Sequence, residues 1–258
     1  MSAALAAAGS SDLFRHVLRL GDLSLILGQR LGELVGHGPA LEEDLGLANI
    51  ALDLVGQARL LLTYAGEIEG AGRDEDAIAF LRDHRDYYNA VLVEQPNGDF
   101  AQTIVRQVLI DAFQQELYAG MLDSSNERLA AIAAKAEKET RYHLRYSSGW
   151  LVRLGDGTEE SHRRAQAALN LLWPYTVELF CADALDVQMA EAGIAPALAV
   201  VEQAWSLRMN DILAQATLTR PAERPFHWYG KRGEHSEHLG YILAEMQSMQ
   251  RTHPGAKW

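Results

Sequence analysis

Four carboxylates have the type and spacing that could do chemistry: Asp22, Asp53, Asp111 and Glu139. Each lies in a stretch with helical periodicity, and acids converging from four facing helices are the raw material of a two-iron centre. Such a centre takes one carboxylate from each of two helices and a Glu-x-x-His pair from each of the other two. In an antiparallel hairpin, residues equally far from the turn lie at the same height. A turn centred near 38–39 reflects Asp22 to about position 55, within a turn of Asp53. A turn centred near 125 reflects Asp111 onto Glu139. Glu33 is a poorer candidate, because it reflects to the very start of the second helix. The spacing predicts one acidic layer.

The histidines that would complete a metal site are missing. Three residues after Asp53 stands Gly56, which has no donor atom. Three after Glu139 stands Tyr142, and His143 follows one place on, rotated by about 100° around the helix. Aspartate is also a shorter arm than glutamate at three of the four positions. The set Asp22, Asp53, Gly56, Asp111, Glu139 and Tyr142 therefore reads as a vestigial ligand set, with no catalytic, cofactor-binding or metal-binding residue in this chain. The acids are expected to pair with cations instead, and Arg15, Arg19, Arg59, Arg106 and Arg141 lie within reachable turns. Other clusters are weaker. His235 and His238, flanked by Glu234 and Glu237, could hold one metal, but a solvated helix end is the reading adopted. Gly230, Lys231, Arg232 and Gly233 form a short basic island that could make a small anion-binding turn. Cys181 reads as a packed small hydrophobe, and Trp173, Trp205, Trp228 and Trp258 as core or interface residues. The sequence carries no P-loop, dinucleotide fingerprint, nucleophile elbow or paired-cysteine metal motif.

The elements that must position these residues are helices. Leu13, Val17, Leu20, Ser24, Leu27, Leu31 and Leu34 recur in steps of four and three, until Gly36, Gly38 and Pro39 end the helix. Met1 to Ser11 reads as a frayed tail. A second helix opens with Glu42, Glu43 and Asp44, where carboxylates complement the helix dipole. Its apolar set is Leu41, Leu45, Ala48, Leu52, Val55 and Leu62, and it closes at Gly66 to Gly72. A shorter helix is expected over 74–94, and Gln95 to Gly98 form a turn. The third long helix starts at Asp99, with Gln102 completing a capping box, and runs to about Leu122. The fourth spans 127–154. Helical stretches near 159–172, 174–192, 197–218 and 236–251 follow, with an irregular excursion over 219–235. Nothing alternates like a strand. The reading is all-α: a single ferritin-like domain over 1–258, with a four-helix bundle core over 13–154 and appended C-terminal helices over 158–251.

Composition narrows the partners. The 258 residues carry 23 basic and 35 acidic side chains, a net charge of −12, which disfavours nucleic acid and anionic membrane surfaces. No stretch is continuously apolar over the ~18 residues of a membrane span. A single cysteine cannot form an internal disulfide. A cytoplasmic protein is expected.

Several longer strings carry a resemblance. Leu18 to Asp22 (LRLGD), Leu27 to Arg59 (LGQRLGELVGHGPALEEDLGLANIALDLVGQAR), Leu92 to Gln107 (LVEQPNGDFAQTIVRQ), Lys138 to Thr158 (KETRYHLRYSSGWLVRLGDGT) and His238 to Trp258 (HLGYILAEMQSMQRTHPGAKW) resemble the C-type subunits of bacterial phenylacetyl-CoA epoxidases. The match runs in order from about Phe14 to the C-terminus. The resemblance implies a ferritin-like, non-catalytic structural subunit of a multicomponent monooxygenase in aerobic phenylacetate catabolism. It implies no cofactor in this chain, a homologous partner subunit that holds the di-iron centre and binds the thioester, and a separate reductase that supplies electrons from NADPH. Because the histidines are absent, no family ligand set carries over. Two other functions are compatible with the residues: an independently active di-iron carboxylate oxygenase using a shifted ligand such as His143, and a free-standing helical binding protein.

Overall fold

The computed structural model describes residues 2–222 and 229–256, and side chains from residue 11 onward within those ranges. Among the described residues there are helices and turns and no strand, so the fold is all-α. The helices are α1 (Ser2–Gly32), α2 (Leu41–Glu69), α3 (Glu75–Phe80), α4 (Phe100–Gly120), α5 (Glu127–Gly155), α6 (Glu159–Leu172), α7 (Val177–Phe180), α8 (Ala184–Glu191), α9 (Leu198–Gln215), α10 (Glu237–Met246) and α11 (Ser248–Thr252). They group into two compact units: Met1–Gln95 with Trp228–Trp258, and Pro96–His227. The division falls at Gln95–Pro96, so α10 and α11 group with the first long hairpin, and α6 to α9 with the second.

The first unit is built on the α1–α2 hairpin. Its loop is held by the Asp44 carboxylate, which accepts from the backbone N–H of Gly36 at 2.9 Å and of Gly38 at 3.0 Å. Gly36 supplies the positive φ of 86° that this turn needs. On α1, Gly21 lets α2 approach closely, since a Cβ there would stand 2.7 Å from Leu62. Contrary to the expected frayed tail, α1 begins at Ser2, in keeping with the high helix propensity of alanine. The helix expected over 74–94 is α3 followed by two short 3-10 turns, His84–Asp86 and Val91–Glu94.

The apolar set assigned to α2 is largely on the wrong face. Leu62 is buried, but Leu41, Leu45, Leu52 and Val55 are exposed by 70%, 54%, 69% and 39%. The core is filled by Leu47, Ile50, Leu54, Ala58, Leu61 and Ala65, a second apolar stripe on the same helix. Periodicity could not choose between two stripes that both recur at helical spacing. For the same reason α2 is long and apolar enough to cross a membrane by length and composition, although much of it faces the core.

The second unit is built on the α4–α5 hairpin, with α6 and α9 packed on α4. Asp99 caps α4 by accepting from Gln102 N–H at 3.0 Å. The Gln102 side chain donates to the Pro96 carbonyl, so the expected capping box is a simple cap. Nearly every residue of α4 from Thr103 to Gln115 is buried, polar ones included. The expected helix over 174–192 is broken into a 3-10 turn, α7 and α8, with Asp183 capping the last. Trp173 and Trp205 are buried in an aromatic cluster with Phe180, and Trp205 Nε1 donates to the Leu109 carbonyl at 3.0 Å. Trp228 and Trp258 lie outside the described residues. Cys181 is half-buried at the end of α7.

Candidate functional site

Each long hairpin buries one aspartate completely. Asp22, on α1, is 0% exposed and is gripped by Arg82, whose two terminal nitrogens reach both carboxylate oxygens. The Tyr88 N–H donates to the same carboxylate at 2.9 Å. Arg82 in turn donates to the carbonyls of Ile78 and Asp86 and lies 4.2 Å above the Tyr87 ring. Burial works against the Arg82 charge, but the adjoining Asp22 carboxylate outweighs it, so the guanidinium is held protonated more firmly than usual. Arg82 was not among the cations expected to serve this layer. Of those, Arg59 pairs with Glu75 at the surface and Arg141 with Glu137.

The hairpin register differs from the reflection arithmetic. Gly21 faces Leu62 and Gly28 faces Val55, which places Asp22 opposite residues near 61. Asp53 lies about two turns away and is half-buried. Gly56 is half-buried and adds no donor.

The second hairpin shows the same direction of shift. Asp111, on α4, is 0% exposed and accepts from Ser147 Oγ at 2.7 Å and from Gln107 Nε2 at 2.6 Å. Its partner region on α5 is therefore 143–147, where reflection gave Glu139. Helical side chains lean toward the helix N-terminus. In an antiparallel pair, Asp111 leans away from the turn and Ser147 leans toward it, so they meet beyond the reflected residue. Glu139 is half-buried and pairs with Lys135 at 2.6 Å, one turn back on its own helix. Tyr142 is 45% exposed. The side chain that does face the interior is His143, 0% exposed and electrostatically coupled to Asp111. Burial pushes the Asp111 carboxyl up to about 6, with the attraction of His143 and the two hydrogen bonds pulling the other way. A second polar contact lies one turn nearer the loop, where Gln115 Nε2 donates to buried Glu137 at 2.8 Å.

A further buried carboxylate escaped the sequence reading. Glu94 is 0% exposed and accepts from Ser236 N–H and Oγ, at 2.8 and 2.6 Å, and from Asn89 Nδ2 at 2.9 Å. His235 Nδ1 lies 2.6 Å from the oxygen that accepts from Asn89, and His235 Nε2 lies 2.8 Å from the Tyr87 carbonyl. His235 is thus not on a solvated helix end: it precedes α10, its side chain is 1% exposed, and it ties the C-terminal segment to a residue 141 positions earlier. His238 is half-buried on α10. In the Gly230–Arg232 turn, the Lys231 carbonyl accepts from Arg19. The only sequence signal for the Glu94 contact is the apolar setting of Glu94 in Val91-Leu92-Val93-Glu94-Gln95.

Among the described residues, no three His, Cys, Asp or Glu side chains converge as a metal ion would require. What the arrangement can do chemically is hold its buried acids Asp22, Glu94, Asp111 and Glu137 in place with protein donors. Comparison with known proteins places this architecture. The family model described as phenylacetic acid catabolic protein matches residues 1–258. This chain belongs to that family. The family is ferritin-like, in keeping with the long helical hairpins. A similar curated protein is the C-type subunit of the 1,2-phenylacetyl-CoA epoxidase of Escherichia coli (strain K12). It is 52% identical over 248 residues, which span 96% of this chain and 100% of that relative. The family resemblance drawn from the Leu27–Arg59 and Lys138–Thr158 strings is thereby shown.

Proposed function

We propose that this chain is a structural, non-catalytic subunit of a phenylacetyl-CoA epoxidase complex acting in phenylacetate breakdown. In this reading it binds and stabilises a homologous oxygenase subunit that carries the di-iron centre, and electrons arrive from NADPH through a separate reductase. One observation carries the proposal: the buried acids are occupied by the chain's own donors. Asp22 is bound by Arg82 and the Tyr88 N–H, and Asp111 by Gln107 and Ser147. Taking either acid for iron would strip those donors of their partners in the interior, a cost of several kcal/mol before any metal bond formed. Gly56 and the exposed Tyr142 support the same reading, since neither offers an imidazole where a Glu-x-x-His pair would need one. Such a complex would work in the cytoplasm, where NADPH and acyl-CoA thioesters are found.

The buried juxtaposition of His143 and Asp111 favours a second reading, an independently active di-iron enzyme using those two as ligands. One experiment separates the two. The iron-loaded chain, supplied with phenylacetyl-CoA, reductase and NADPH, is expected to form no epoxide alone, and turnover is expected when the oxygenase subunit is added. Product from the isolated chain would overturn the structural role. Failure of the oxygenase subunit to co-purify with this chain would favour a free-standing binding protein.

A further inference from the structure

A cavity of about 200 Å³ opens in the second unit, between α7 and the first half of α9. Its wall is aromatic. The Trp205 ring stands 5.3 Å from Trp173 and 5.0 Å from Phe180, tilted by 40° and 55°. These rings are fixed before any guest arrives: Trp205 Nε1 is bonded to the Leu109 carbonyl, and Phe180 packs edge-on against Phe113. A preformed wall spares a ligand the cost of ordering it. An apolar cavity of about 150 Å³ takes a benzene ring, so this one has room for a ring and a short polar tail.

Two opposite charges, Glu202 and Arg220, line the same cavity without pairing. The Arg220 guanidinium lies 4.9 Å above the Trp173 ring and donates to Asn210 Oδ1 at 2.8 Å, which leaves its other N–H groups without a protein acceptor among the described residues. Glu202 forms no ion pair and accepts no hydrogen bond among those residues. A guest carrying only a positive charge would face Arg220, and one carrying only a negative charge would face Glu202. A zwitterion satisfies both, and a ring satisfies the wall. We infer that this cavity binds a free aromatic α-amino acid such as phenylalanine. The ring lies against Trp173, Phe180 and Trp205, the carboxylate meets Arg220, and the ammonium meets Glu202. The guanidinium–carboxylate contact is the stronger of the two, because Glu202 is exposed to solvent.

Isothermal titration calorimetry of the full chain with phenylalanine and three truncated analogues tests this. Phenylalanine is expected to bind with a Kd of about 0.1–1 mM, the range open to so small a ligand. Alanine, which lacks the ring, should give no measurable binding. The acid without the ammonium, 3-phenylpropanoate, should bind about fivefold more weakly. The amine without the carboxylate, 2-phenylethylamine, should bind about tenfold more weakly. In Glu202→Gln, phenylalanine and 3-phenylpropanoate should bind alike, and in Arg220→Gln, phenylalanine and 2-phenylethylamine should bind alike. Glu202→Gln should melt as the wild type does, since it removes no contact within the chain. Absence of phenylalanine binding in the millimolar range would overturn the inference. So would 3-phenylpropanoate binding as tightly as phenylalanine, or a preference among the ligands that survives both substitutions. The oxygenase subunit takes no part in the titration, so this inference and the structural role can fail independently.

Discussion

Replacing Asp111 with asparagine should make the protein more stable at pH 8 and change it little at pH 4. The wild-type carboxyl is completely buried, and burial raises it from 3.8 to about 6 in the folded state. Below about pH 4 the group is protonated in both folded and unfolded chains and its contribution is fully present. Between about 4 and 6 the unfolded chain gives up the proton while the folded chain keeps it, so stability falls as pH rises. Above the folded value the loss is complete. A difference of about two units corresponds to about 3 kcal/mol. Asparagine removes the ionisation and keeps an oxygen for the Ser147 hydroxyl. Its amide nitrogen can meet Gln107 only if that side chain turns over to present Oε1 in place of the Nε2 that now donates to Asp111, so this contact changes donor without a net gain. Loss of the attraction to His143 offsets part of the gain, so an increase of about 1–3 kcal/mol at pH 8 is expected. Urea unfolding of both proteins at pH 4, 6 and 8 measures it. If Asp111→Asn were equally or more destabilising at pH 8 than at pH 4, the Asp111 carboxyl could not be raised by burial in the folded chain, and the reasoning would fail.

Three further perturbations follow from the same contacts. Arg82→Ala should cost about 3–5 kcal/mol by leaving Asp22 buried and uncompensated, while Arg59→Ala, at a surface pair, should cost less than about 1 kcal/mol; denaturant titration of both compares them directly. His235→Ala should raise hydrogen exchange across α10 and α11, because Glu94 and the Tyr87 carbonyl both lose a partner, and unchanged exchange there would refute the anchoring role. Gly155→Ala should lower the melting temperature, since its Cβ would stand 2.0 Å from the Ala216 carbonyl oxygen and the α5 terminus would have to move.

Much of the fold was legible because helix formation is a short-range property. The steps of four and three in Leu13 to Leu34, the Asp99 cap and the turn at Gln95–Gly98 all act within four residues of themselves. The break at Cys181–Asp183 was not legible, because a helix-favouring run is interrupted there by the cap that Asp183 makes to Leu185 and Asp186. At the site, Asp22 and Asp111 were identified from spacing, and both are buried acids. Their companions were not: the reflection rule treats side chains as pointing straight across, whereas they lean along the helix, and the error accumulates from both partners.

By itself, then, the sequence determined an all-helical chain, the positions of its long hairpins, and the absence of imidazole at positions 56 and 142, since each follows from local pattern or residue identity. Tertiary structure decided which acid meets which donor. Arg82 finds Asp22 across 60 positions, and His235 finds Glu94 across 141. It also decided which of two equally periodic stripes on α2 faces the core, placing Leu54 and Leu61 inside and Leu45 and Leu52 outside. Periodicity marks a face as apolar without stating what covers it, and only the packing of distant segments supplies that answer.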